Sequence, residues 1–288
     1  SMRLSVLALA CVLLCPAPAF ASDEGAVPEG ACKGAVVDVD GQPLWIEAHS
    51  GGAVTIAFEA GNGNDSSVWT EIAGRVRERG LGTFAYDRAG LGKSPLRPGS
   101  YAIENEVRAF NAALTTCGIR APIVLVAHSY GGAIALLSAA HDRRIVGLVL
   151  VEGLVPKSAP QGEIDAIFAK YRPQYDEIRK QAPALAEAII PLMEAFPETS
   201  RTLDAVVLPK GLPVIDIVAE HPNENSPQSI PIWRTAHADF VQSDPAREAV
   251  FAAGSSHKVM ADRPDLVVAA ILRMAERSKP GMADEPAR

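Results

Sequence analysis

Along most of the chain, short runs of apolar residues alternate with longer stretches in which apolar and polar positions repeat every three or four residues. Residues 35–39 and 44–48 are strand-like runs separated by Asp40-Gly41. That dipeptide accepts the positive φ angles of a tight turn, so the two runs predict an antiparallel hairpin. Residues 54–58, 82–86, 123–126, 146–151, 213–218 and 248–252 are further apolar runs of strand length. Helical spacing governs residues 67–79, 103–117, 131–141, 232–241 and 264–276 between them. Continuously apolar strands are buried on both faces, and alternation with helices supplies the covering layers. The expected architecture is therefore α/β: a mostly parallel sheet with a leading antiparallel hairpin and helices on both faces.

The alternation breaks between residues 153 and 211. Ile164, Ile167, Phe168, Tyr171, Tyr175 and Ile178 fall at helical spacing, as do Leu185, Ile189, Leu192, Met193 and Phe196. Pro173 and Pro191 are expected to kink or stop these helices. A block of helices between two strands reads as an inserted cap over residues 153–211, with residues 22–152 and 212–288 forming the core. Most of its apolar positions serve packing. Phe168, Met193 and Phe196 are the ones expected to line a substrate pocket as well, because open α/β sheets bind ligands at the strand ends that such a cap covers.

Composition changes this picture at the N-terminus. The chain has 288 residues, 48% hydrophobic and 21% charged, enough to bury a full core. Its start combines Met2-Arg3, an apolar stretch over residues 4–14 and Ala19-Phe20-Ala21, the pattern of a secretory signal peptide over residues 1–21 cleaved after Ala21. The apolar stretch is too short to favour a membrane span, so a secreted or periplasmic protein with no membrane attachment after cleavage is expected. Removing the leader takes Cys11 and Cys15 and leaves Cys32 and Cys117, an even pair that suggests one disulfide in an oxidising compartment. The formal charge of -7 becomes one unit more negative without Arg3, which argues against nucleic acid and anionic membranes as partners.

Candidate chemistry centres on the run Ile123-Val124-Leu125-Val126-Ala127-His128-Ser129-Tyr130-Gly131-Gly132. An apolar strand breaks there into a small-x-Ser-x-Gly turn and then an Ala/Leu-rich helix. Ala127 and Gly131 leave room for a bend so sharp that the Ser129 hydroxyl projects above the sheet edge. The run resembles the nucleophile elbow of the α/β-hydrolase superfamily, with Ala127 in place of the first Gly of G-x-S-x-G. Three other segments resemble the same family in the right order. The loop Glu59-Ala60-Gly61-Asn62 is similar to its oxyanion loop, with Ala60 where His is usual. Asp87-Arg88-Ala89-Gly90-Leu91-Gly92-Lys93-Ser94 is similar to its D-x-x-G-x-G-x-S bracing loop. Gly254-Ser255-Ser256-His257, followed by Asp262-Arg263-Pro264, is similar to its late histidine loop.

The resemblance implies an α/β-hydrolase fold with Ser129 as nucleophile, His257 as general base and the backbone N–H groups of Asn62 and Tyr130 as oxyanion donors. It implies no metal or organic cofactor, and a bracing role for Asp87 and Arg88. His128 is expected to pack under the elbow and point away from the active face. The acid departs from the family: where many relatives carry Asp after the seventh strand, this chain has Pro222. Glu152 follows the apolar run 148–151, and a carboxylate there is costly to bury without a partner such as an imidazole N–H. The acid is read as Glu152, with Glu220 and Asp216 as alternatives. The expected activity is that of a serine hydrolase on a small-molecule substrate, a carboxylesterase for small or medium apolar esters acting through an acyl-enzyme. Ser129 in place of a carboxylate argues against a dehalogenase or epoxide hydrolase. The same triad also serves amide, lactone and carbon–carbon hydrolysis, and the departures at Ala60, Ala127 and Pro222 leave open a relative that binds ligands without catalysis.

Overall fold

Asp40 and Gly41 both take positive φ, 51° and 82°, and fold β1 (Lys33–Val39) back onto β2 (Gln42–His49) as an antiparallel hairpin. The protein is described by a computed structural model covering residues 30–120 and 122–281. The signal peptide read at residues 1–21 lies outside the described residues. β3 (Thr55–Glu59), β4 (Gly82–Tyr86), β5 (Ile123–His128), β6 (Ile145–Val151), β7 (Val214–His221) and β8 (Arg247–Ser256) complete one eight-stranded sheet in the order β1-β2-β4-β3-β5-β6-β7-β8. β2 pairs antiparallel with β4, and every pairing from β4 to β8 is parallel.

Pleating distributes the apolar runs to two separate layers. Ile123 and Leu125 face a core completed by α2 (Ile103–Thr116), α3 (Gly131–His141) and α8 (Ser229–Gln242). Val124 and Val126 face the opposite core, under α1 (Thr70–Arg77) and α10 (Pro264–Arg277). Burial on both sides explains why the run 123–126 is apolar at every position. A disulfide joins Cys32, just before β1, to Cys117, just after α2.

Between β6 and β7 the chain forms α4 (Gln161–Tyr171), α5 (Tyr175–Gln181), α6 (Pro183–Glu194) and α7 (Phe196–Asp204). Pro173 lies in a 3₁₀ turn that separates α4 from α5. Pro191 does not end its helix: α6 runs through it to Glu194, forgoing the one bond that the ring nitrogen cannot donate. Ile164, Leu192, Phe196 and Leu203 join the α2–α3 core, whereas Tyr175, Ala186 and Ile190 make a small cluster of their own. The short α9 (Val259–Asp262) follows β8. Among the described residues, no helix is long and apolar enough to cross a membrane.

Candidate active site

β5 ends at His128 and α3 starts at Gly131, so the chain reverses within two residues. Ser129 takes φ 53°, a left-handed conformation that costs a residue with a side chain about 1 to 3 kcal/mol. Its carbonyl accepts the N–H groups of Gly132 and Leu154, each at 2.9 Å, which holds the corner. The turn fits only because Gly131 and Gly132, which follow Tyr130, lack side chains. A Cβ on Gly131 would lie 2.6 Å from the Ala60 carbonyl oxygen, and one on Gly132 would lie 2.7 Å from the Leu154 nitrogen.

His257 follows β8 and reaches across the strand ends. Its Nε2 is 2.9 Å from Ser129 Oγ and its Nδ1 is 3.1 Å from Glu152 Oε2. Glu152 sits at the corner where β6 ends, fully buried, with φ 49°. Its second oxygen accepts the Ala219 N–H at 2.6 Å and the Trp233 Nε1–H at 3.3 Å. Both alternatives for the acid are engaged elsewhere. Glu220 accepts the Gly254 N–H at 2.5 Å, and Asp216 pairs with His237 Nδ1 at 2.7 Å in a buried couple beneath the site. Burial pushes the Asp216 carboxyl above the usual range, against the pull of His237.

The loop after β3 carries Asn62 beside this corner. Among the described residues, neither the Asn62 backbone N–H nor that of Tyr130 donates to a protein acceptor. Arg88, itself buried, braces the loop. It pairs with Glu59 and donates to the carbonyls of Ala60 at 2.5 Å and Gly61 at 2.8 Å. Burial raises the Glu59 carboxyl, while the Arg88 charge and the Tyr86 hydroxyl at 2.5 Å pull it back. His128 differs from its sequence expectation. It does not point away from the site: its Nε2–H donates to the His257 carbonyl at 2.9 Å, and the two rings lie 4.8 Å apart. Burial, reinforced by His257, depresses its pKa to about 3, so it is a neutral strut between the elbow and His257.

Residues 56–270 match the family model described as the alpha/beta hydrolase family. The chain belongs to that family. It is 24% identical over 249 residues, 81% of this chain and 88% of the other, to the uncharacterized protein YqjL of Bacillus subtilis (strain 168). Among solved structures it superposes on a structure from a study of carboxylesterases of Nitrososphaera gargenis with a TM-score of 0.65 at 12% identity, covering 84% of this chain and 97% of that one. It superposes on the haloalkane dehalogenase DatA of Agrobacterium tumefaciens C58 with a TM-score of 0.62 at 17% identity, covering 84% and 96%. At such identities these structures share the fold with this chain.

In this alpha/beta hydrolase, Ser129 and His257 open onto a cleft of about 660 Å³ between the strand ends and α4–α7. Met193 and Phe196 line it with Ile189 and Leu192. Phe168, expected in the same wall, lies outside it. It is half-buried against the α2–α3 core, with the Arg172 guanidinium 3.8 Å above its ring. The phase of α4 decides this. Glu163, Ile167 and Tyr171 share the face that looks into the cleft, and Phe168 is turned about 100° from Ile167. Sequence reasoning also missed Trp233. It lies in the stretch of helical spacing at 232–241 with no local signal of its own, and only the tertiary fold brings its N–H to Glu152 and its ring to 6.4 Å from that of His257. Among the described residues there is no group of three or more His, Cys, Asp or Glu side chains placed to hold a metal ion.

Proposed function

We propose that this alpha/beta hydrolase is an exported serine carboxylesterase that cleaves small or medium esters through an acyl-enzyme, with Ser129, His257 and Glu152 as its triad. The observation that carries the reading is the hydrogen-bonded chain from Ser129 Oγ through both ring nitrogens of His257 to Glu152. An isolated serine hydroxyl is a poor nucleophile, and a base at 2.9 Å removes its proton as it attacks the ester carbonyl. Glu152 holds the ring in the tautomer that presents a lone pair to Ser129 and stabilises the imidazolium that forms. The negative charge developing on the carbonyl oxygen is met by the backbone N–H groups of Tyr130 and Asn62. His257 then returns the proton to the departing alcohol, and water repeats the cycle on the acyl-enzyme. The apolar wall of Ile189, Leu192, Met193 and Phe196 suits a hydrocarbon portion of the substrate. The Cys32–Cys117 disulfide supports an oxidising compartment.

The test is turnover of p-nitrophenyl esters by residues 22–288, together with labelling by a fluorophosphonate. Ser129→Ala is expected to abolish the labelling and to leave only background hydrolysis. Absence of both turnover and Ser129 labelling in the unsubstituted protein overturns the proposal.

A further inference from the structure

A second charge sits in the cleft wall, and the ester chemistry leaves it unused. Glu163, in the first turn of α4, is 6% exposed and lines the cleft. Its Oε1 accepts Asn225 Nδ2–H at 2.9 Å and the Ser229 hydroxyl at 2.7 Å, and its Oε2 accepts the Ser226 hydroxyl at 3.3 Å. Every one of these donors is neutral. The Ser229 oxygen is itself the acceptor for the N–H groups of Asn225 at 2.9 Å and Ser226 at 2.8 Å, so its single proton is committed to Glu163.

No Lys, Arg or His nitrogen among the described residues lies within 4 Å of this carboxylate. Lys170, the cation on the far side of Asn225, is exposed and bonds the Glu224 carbonyl at 2.9 Å and the Asn225 side-chain oxygen at 3.5 Å. Lys258 also lines the cleft, exposed beside His257. Glu163 does tie α4 to the start of α8, but a neutral Gln could keep the two bonds at Oε1 and donate from its amide nitrogen to the Ser226 oxygen in place of the bond at Oε2. A carboxylate buried without a counter-charge is expensive, and that cost points to a cation arriving from outside. The neighbouring walls suit one. Trp233 lies one turn along α8 from Ser229 and lines the cleft, whereas the Tyr171 ring, on the Glu163 face of α4, already has the exposed Lys170 ammonium 5.2 Å from its centroid. A Trp ring in the same cleft as a carboxylate favours an ammonium over a neutral group of the same shape.

The geometry points to the Glu163 end of the cleft as a binding site for an ammonium-type cationic group of the substrate. This rests on the cleft being the substrate site of the proposed hydrolase, but its test needs no turnover. Choline and 3,3-dimethyl-1-butanol have the same shape and differ in charge. Their binding to Ser129→Ala protein, followed by calorimetry or ligand-observed NMR, is expected to favour choline by about tenfold or more. Adding Glu163→Gln should remove that preference and change the affinity for the neutral alcohol less than threefold. Adding Ser229→Ala instead weakens the tie between α4 and α8 but keeps the charge, and the preference for choline should survive. Equal binding of the two probes, persistence of the preference in Glu163→Gln, or its loss in Ser229→Ala to the same extent as in Glu163→Gln would each overturn the assignment. Failure of the esterase reading shows separately, as absent ester turnover and serine labelling in the protein that retains Ser129.

Discussion

Ser129 and His257 were legible from the chain because their signals are local: a small-x-Ser-x-Gly turn after an apolar strand, and a glycine-containing loop after the last one. Glu152 required an argument about burial, and its geometry gives that argument a sharp test. Glu152→Gln is expected to lower kcat by a factor on the order of 10³ to 10⁴ with the melting temperature little changed, whereas Glu220→Gln, altering a residue bonded to Gly254, should leave kcat within about twofold. Trp233 and Phe168 were not legible, since a residue's facing depends on helix phase and on which strand end the helix crosses. Trp233→Phe keeps the ring and deletes one of the two donors on Glu152 Oε1; a roughly tenfold lower kcat with KM within threefold is the expected kinetic result. His128 carries a prediction about stability. Its pKa falls from 6.5 to about 3 on folding, so between those pH values the unfolded chain binds the extra proton. Its contribution is therefore complete above pH 6.5 and is lost as pH falls toward 3, at about 1.4 kcal/mol per pH unit. Urea titrations of the wild type and His128→Asn across that window should show a shallower acid slope in the variant. The raised carboxyls of Glu59 and Asp216 are common to both proteins and cancel in the difference.

Elements were easiest to read where their signal is intrinsic. The runs at 123–126 and 146–151 are free of polar side chains because both faces are covered, and they fall within β5 and β6. β8 extends further than its apolar run, from Arg247 to Ser256, because its length is set by pairing with β7 through an irregular register that ends at His221 and Ser256. α6 was harder still, as its passage through Pro191 depends on packing that outweighs one missing hydrogen bond. Between the elements, the Arg88–Glu59 pair joins the loop after β4 to the end of β3 while both side chains are almost fully buried. Arg88→Met strands a buried carboxylate and is expected to cost about 3 to 5 kcal/mol in urea unfolding, and to impair acylation by loosening the Ala60 and Gly61 carbonyls. Replacing Glu59 by Gln in the same protein should recover much of the stability and little of the activity.

Across the whole molecule, the disulfide spans a separation of 85 residues, for which the chain-entropy model gives about 4 to 5 kcal/mol. Cys32→Ser with Cys117→Ser should therefore lower the melting temperature by roughly 10 °C or more, and the same loss should follow reduction of the native protein. The bond lies at the hairpin side of the sheet, so ester turnover of the folded fraction should be unaffected. The helices over the cleft are not equally anchored. α4 and α7 place Ile164 and Leu203 in the main core, whereas Tyr175, Ala186 and Ile190 of α5 and α6 pack chiefly on one another. Amide exchange should accordingly be faster in α5 and the first half of α6 than in α7. That uneven anchoring separates two kinds of inheritance. Substitutions in the loosely held helices can reshape the cleft while the sheet that carries Ser129, Glu152 and His257 stays folded, so a lineage built on this chain can change what it accepts without first rebuilding how it reacts.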